Sequence, residues 1–245
     1  MIYDFHSHVL FGIDDGATDE ATSIQMLKRS AEQGVDTVLL TSHCYPMHTE
    51  DIDRFIKKRD SLYSKLCEVP DIPKLVRGCE VHLTQDLTSL SNLRKLCIDG
   101  TDYILLEMPR SLWTDRTIDY VYKLNLIGIT PVIAHDERNM NQKAELRNAL
   151  YDLNVLIQIN APSLFMISYK KEIERMMRLG LAHVIGTDMH NMETRKPCMD
   201  RAKKKIEQRY GTECWDYLMG NAEKILKGEE ISYRDFKSFK KKGLF

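Results

Sequence analysis

Short apolar runs rich in β-branched residues alternate with longer amphipathic segments along most of the chain. Runs at 2–6, 37–42, 75–80, 103–107, 131–135, 155–160 and 183–188 have the length and composition of strands. Between them, segments at 19–32, 51–67, 115–125, 141–153, 170–179 and 197–210 predict helices. The segment 51–67 sets Ile52, Phe55, Ile56, Leu62, Tyr63 and Leu66 on one stripe and is stopped by Pro70 and Pro73, while the segment 19–32 ends at Gly34. Strand and helix in regular alternation predict βα units around a parallel sheet. Seven strands predict an α/β barrel, TIM-like but short of the usual eight.

Composition narrows the classes. The chain has 245 residues, 43% hydrophobic, enough for a sizeable core. No linker rich in Gly, Pro or Ser interrupts it, so residues 1–245 are expected to form one domain. No apolar run approaches the roughly 20 residues of a membrane helix, and Met1 leads straight into an acidic, histidine-bearing strand. The reading is a cytoplasmic protein without membrane insertion. A formal net charge of -1 argues against nucleic acid as the main partner. The lysine-rich end, Lys237 to Lys242, reads as a solvated tail.

Residues of metal-ligand type recur where predicted strands end. His6 and His8 close the first, His43 the second, Glu80 the third, Glu107 the fourth, His135 the fifth, and Asp188 with His190 the seventh. In a parallel barrel all strand C-termini face one mouth, so these side chains converge on one pocket. His-x-His on a strand presents both imidazoles on the same face, and Asp188-x-His190 repeats the spacing. One strand-end histidine is more often a hydrogen-bonded structural residue; eight ligand-type residues at six strand ends are not explained that way. The donors are imidazole and carboxylate without sulfur, which suits zinc, manganese or iron, and their number suits two or three ions. Neighbouring divalent ions would activate a water as metal-bound hydroxide and neutralise phosphoryl charge. Arg138 and Arg195, just beyond the ends of the fifth and seventh strands, add guanidinium groups that match phosphate oxygens. A cysteine nucleophile is excluded, because none of the six cysteines lies six residues before an arginine.

His6-Ser7-His8 with Gly12-Ile13-Asp14-Asp15-Gly16-Ala17, Thr41-Ser42-His43, Gly78-Cys79-Glu80, Leu106-Glu107-Met108-Pro109, Ala134-His135-Asp136-Glu137-Arg138, Gln158-Ile159-Asn160-Ala161 and Gly186-Thr187-Asp188-Met189-His190-Asn191 together resemble the polymerase-and-histidinol-phosphatase (PHP) superfamily. Within it the chain is most similar to the manganese-dependent protein tyrosine phosphatases of bacterial capsular and exopolysaccharide gene clusters. The resemblance implies a distorted (β/α)7 barrel, three metal ions with manganese ahead of iron or zinc, and a phosphotyrosine substrate on a bacterial tyrosine kinase tail that controls polysaccharide export. It implies His6, His8, Asp15, His43, Glu80, Glu107, His135, Asp188 and His190 as metal ligands and Arg138 and Arg195 as phosphate-binding residues. Asp15 enters only through the resemblance, since an Asp-Asp-Gly turn is otherwise just a turn. The chain departs from the family in having Asp136 where Pro is usual and Pro162 where Gly is usual. Asp136 and His82 are candidates for residues that support the ligands.

Two other readings compete. One is a histidinol-phosphate or other small-molecule phosphoesterase on the same barrel, which would need a closed pocket. The other is a catalytically inactive module that binds a kinase tail; the full ligand set speaks against it.

Overall fold

The structure, a computed structural model, describes residues 1–232 and 236–241. Of the lysine-rich run, Lys242 lies outside them. Among the described residues the strands are β1 (Tyr3–Asp4), β2 (Thr37–Leu40), β3 (His43–Cys44), β4 (Lys74–Arg77), β5 (Glu80–His82), β6 (Tyr103–Glu107), β7 (Thr130–Ile133), β8 (Leu156–Asn160) and β9 (Val184–Gly186). All seven predicted runs contain strand, and in the second and third the strand is interrupted near the end of the run and resumes as β3 and β5. The ladder stops with Leu40 opposite Arg77 and resumes with His43 opposite Glu80. In that gap Thr41 turns to the first strand, its N–H donating to Ser7 O at 2.9 Å and its hydroxyl accepting from Ser7 N at 2.8 Å.

Every pairing is parallel, in the order β1-β2-β4 on one side of the break and β3-β5-β6-β7-β8-β9 on the other. The sheet then closes on itself. Phe5 N donates to Ile185 O (3.2 Å), Asp188 N to His6 O (2.7 Å) and His8 N to Met189 O (2.9 Å). This is the parallel α/β barrel that the strand pattern predicts, distorted where the second and third runs are split. The seam, and the loop that packs on His8, demand glycine. A Cβ on Gly186 would lie 2.4 Å from the Cβ of His6, and one on Gly16 would lie 2.6 Å from the Cβ of His8.

The helices α1 (Glu20–Glu32), α2 (Thr49–Leu66), α3 (Asp115–Leu126), α4 (Ala144–Tyr151), α5 (Lys170–Leu179) and α6 (Met199–Tyr210) follow the predicted segments. Asp19 caps α1 by accepting from Thr22 N at 2.8 Å, and Asp51 holds the N–H groups of Met47 and His48 at the start of α2. Helix α4 is shorter than predicted, because residues 141–143 form a turn. A further helix, α7 (Thr212–Leu226), was not among the predicted segments, although Cys214, Trp215, Leu218, Ala222 and Ile225 are buried along it at helical spacing. It covers the N-terminal ends of the two seam strands: Tyr3 N donates to Met219 Sδ (3.4 Å) and Asn221 Nδ2 to His183 O (3.0 Å). With helices outside and side chains filling the middle, β6 and β8 are buried at every position. No helix among the described residues is long and apolar enough to cross a membrane.

His183, just ahead of β9, is buried, with Nδ1 accepting from Ile157 N at 2.8 Å. Burial holds its pKa down to about 3. The unfolded chain takes up a proton at an ordinary imidazole pKa of ~6.5 that the folded chain refuses. This residue therefore costs stability as pH falls from ~6.5 toward the folded value, and nothing above that window. His183→Asn is expected to flatten the acid limb of the stability–pH curve between about pH 6.5 and 4, as measured by denaturant titration. Parallel curves for the two proteins would refute a buried neutral imidazole.

Candidate metal centre at the barrel mouth

The nine predicted ligands meet at the C-terminal mouth of the strands. Glu80, the first residue of β5, sits at the hub. Its Oε2 lies 3.2 Å from His6 Nε2, 3.3 Å from His8 Nε2 and 3.0 Å from His43 Nδ1, and its Oε1 lies 2.8 Å from His135 Nε2. Asp188 Oδ1 faces the same pair of imidazoles, 3.6 Å from His6 Nε2 and 3.4 Å from His8 Nε2. Asp15 reaches in from its loop, with Oδ1 3.5 Å from His43 Nε2 and 3.4 Å from His190 Nε2. Glu107 closes the other side, 3.9 Å from both His43 and His135. The donors fall into four overlapping sets: His8, Asp15, His43 and His190; His6, Glu80 and His135; His6, His8 and Asp188; His43, Glu80 and Glu107. All nine belong to at least one set. Most are fully buried, but the Asp15 side chain is 63% exposed, so one edge of the cluster is open to solvent.

Backbone strain helps to aim these groups. His135 and Asp188 have φ of +35° and +53°, in the left-handed region that side-chain-bearing residues avoid. Each follows a strand whose last bonds are fixed, so the turn directs the side chain inward.

The imidazoles are oriented from behind. His8 Nδ1 donates to Asp14 Oδ2 (2.8 Å), His6 Nδ1 to Gln158 Oε1 (3.1 Å) and His190 Nδ1 to the carbonyl of Asp188 (2.9 Å). With the proton committed on Nδ1, each Nε2 presents a lone pair to the centre. Asp14 also accepts from His43 N, and Gln158 Oε1 from His135 N, so each acceptor ties two ligands together. Gln158 Nε2 donates to Asn160 Oδ1, and Asn160 Nδ2 donates to Asp188 Oδ2, both at 2.8 Å. His82 Nδ1 pairs with Glu107 Oε2 at 2.9 Å.

Asp14, Gln158 and Asn160 were given no role by sequence reasoning, although a signal existed. Gln158 and Asn160 are two residues apart on one face of an otherwise apolar strand, where a buried amide needs a partner. Asp136, by contrast, is not part of the centre. Its carboxylate is taken by Asn139, Arg147 and Tyr151 in a buried network that continues to Glu172. His48 caps α2.

The donors fit divalent ions. His6 Nε2 and His8 Nε2 face each other at 3.0 Å, with Glu80 and Asp188 beside them. Lone pairs and carboxylates this close, out of water, repel unless cations lie among them. Both Glu80 oxygens and His190 Nε2 are buried without a hydrogen-bond partner. Protons are the alternative cations. Burial opposes the charge on His8, yet Asp14 and Glu80 overcome it and raise its pKa to about 10. His6 is raised against burial by Glu80 and Asp188, and Glu80 is held low against burial by His6 and His135. Burial and the His8 charge lower His190 to about 4. Metal ions binding here would displace such protons.

The two predicted arginines meet on one atom at the rim. Arg138 Nη2 lies 2.6 Å and Arg195 Nη2 2.7 Å from Asp188 Oδ2. Both arginine side chains are about one-third exposed, and a cavity of about 290 Å³ opens beside Arg138, lined also by Glu107, Arg110, His135 and Asn141. Asp14→Ala is expected to weaken divalent-metal affinity about 10–100-fold with the fold intact, because His8 loses its orientation. Titration against a chelator checks this, and unchanged affinity would show that Asp14 does not orient the ligand.

A tyrosine-protein phosphatase, YwqE of Bacillus subtilis (strain 168), is 29% identical over 99% of this chain and 98% of its own length. The tyrosine-protein phosphatase CpsB of Streptococcus pneumoniae is 30% identical over 93% of this chain and 99% of its own. A crystal structure from a study of YwqE and CpsB, described as unique metal-dependent tyrosine phosphatases, superposes with a TM-score of 0.80 at 27% identity, covering 99% of this chain and all of that one. The family model for capsular polysaccharide synthesis, CpsB/CapC, matches residues 2–227. The chain belongs to the CpsB/CapC family of capsular polysaccharide synthesis.

Proposed function

We propose that this chain is a metal-dependent protein-tyrosine phosphatase that removes phosphate from phosphotyrosine on a protein substrate. The observation that carries the phosphate reading is the convergence of Arg138 and Arg195 on Asp188 Oδ2, at the edge of the ligand cluster. Each guanidinium holds Asp188 through Nη2, and its remaining N–H groups can meet a phosphoryl group beside the ligand cluster. The names of the relatives supply the tyrosine.

In this reading His6, His8, Asp15, His43, Glu80, Glu107, His135, Asp188 and His190 hold the ions, three in number and manganese by preference. Nine donors in four overlapping sets, with Glu80 shared between two, support more than one ion; imidazole and carboxylate donors suit manganese, iron and zinc alike. The ions would lower the pKa of a water molecule and offset phosphoryl charge. The chain does the rest. Asp14 and Gln158 keep imidazole lone pairs pointed inward, Asn160 and the arginines fix Asp188, and Arg138 and Arg195 orient the phosphate. A phenolate leaving group, with a pKa near ~10, needs little protonation. The ring of Tyr45, half-exposed at 5.4 Å from His43 and 5.5 Å from His82, offers a flat wall at the rim for the substrate's phenyl ring. The open edge at Asp15 suits a protein side chain better than a small amine that must be enclosed. We assign the substrate to a tyrosine kinase tail in the cytoplasm, in keeping with the family's link to capsule synthesis, and residues 1–245 to one catalytic domain.

Arg138→Ala and Arg195→Ala are each expected to lower kcat/KM on a phosphotyrosyl peptide about a hundredfold while bound metal is retained. Steady-state assays with parallel elemental analysis check this. A metal-loaded protein that turns over histidinol phosphate but not the phosphotyrosyl peptide would contradict the assignment.

A further inference from the structure

Three surface cavities form a chain that begins at Arg195. The first, of about 150 Å³, is lined by Arg195 itself together with Phe165, Lys196 and Arg201. The second, of about 340 Å³, shares Phe165 with it and adds Lys170, Lys205 and Arg209. The third, of about 330 Å³, shares Lys241 with the second and adds Lys171 and Arg178. Among the described residues lining these three cavities, Glu174 is the one carboxylate, and Arg209 and Lys241 are already paired with it. A chain of net charge -1 has thus gathered cations along one path. Apolar steps lie within the path. Ile167 is 91% exposed and Phe165 39%, with the Arg201 guanidinium 4.5 Å from the centre of the Phe165 ring.

We propose that this path is a docking track for the acidic, extended peptide segment that flanks the phosphotyrosine. The inference rests on the phosphatase reading for its starting point, since the track leads away from Arg195. Charge complementarity selects an acidic partner. The concave, connected cavities select an extended chain over a flat bilayer, and the exposed Phe165 and Ile167 give aromatic or aliphatic side chains of that segment a place to pack. The track lies outside the cluster of ligands, so it governs which protein is engaged and not the bond that breaks.

The test uses the full-length, metal-loaded protein and its R201E/K205E variant, with K171E/R178E as a second variant should the first fail to fold. Two labelled peptides without phosphate, alike except that glutamates in one are glutamines in the other, read docking by fluorescence anisotropy. Two phosphotyrosyl peptides of the same design, with free phosphotyrosine as reference, read turnover. The glutamate peptide is expected to bind the unaltered protein about tenfold more tightly than the glutamine peptide at low salt, with the advantage lost on charge reversal and at high ionic strength. Its kcat/KM relative to free phosphotyrosine should fall by a similar factor in the variant, through KM. Equal binding of the two peptides, or a variant that keeps the preference, overturns the track. So does a variant that loses only its binding to phosphatidylglycerol vesicles, which would make the path a membrane contact. Failure to hydrolyse phosphotyrosine at all would instead overturn the phosphatase reading, and the anisotropy comparison would still decide whether the track exists.

Discussion

Everything at the mouth of this barrel follows from surrounding the buried Glu80 carboxylate with imidazoles. Four histidines approach its two oxygens within 3.3 Å, and three of the nearby rings have Nδ1 engaged by acceptors behind them. Such an arrangement is costly with lone pairs alone and becomes favourable when cations share it. The raised pKa values of His6 and His8 express the same demand in protons. The centre is therefore built for positive charge, and Asp14, Gln158 and Asn160 are the side chains that make it stiff.

That demand also explains features of the fold that packing alone would not require. The seam between the first and last strands must bring His6, His8 and Asp188 side by side, and only glycine at position 186 leaves room for His6, as only glycine at position 16 lets the following loop pack on His8. The register is the same on both sides of the break between β2 and β3 and that between β4 and β5, so His43 stays opposite Glu80 at the mouth. His135 and Asp188 accept left-handed backbone at the two turns that face the centre.

Much of this was legible in the sequence because strand length and apolar pattern are local properties. Ligand-type residues at strand ends revealed the mouth, since parallel topology carries them to one place whatever the details. What could not be read locally depended on tertiary contacts. Asp15 arrives on a loop whose path is set by Gly16 packing against His8, so it was reached only through family resemblance. Asp136 looked like a neighbour of the site by number, yet the turn after β7 sends its carboxylate to Arg147 and Tyr151. Asp14 was hidden beside Asp15, because two adjacent acids give no sign of which faces a histidine. Helix α7 is a different case: its apolar spacing was present in the sequence and lay beyond the last strand, where the repeating βα pattern no longer drew attention to it.

The central claim is that the crowded donors exist to hold divalent ions. Crystals of the protein reconstituted with manganese, with diffraction recorded above and below the manganese absorption edge, test it most directly. The account predicts anomalous peaks, more than one, among the inward nitrogens of His6, His8, His43, His135 and His190 and the carboxylates of Asp15, Glu80, Glu107 and Asp188. A map without such peaks, with the imidazoles and carboxylates in the same places, would show that protons alone balance the cluster and would contradict it.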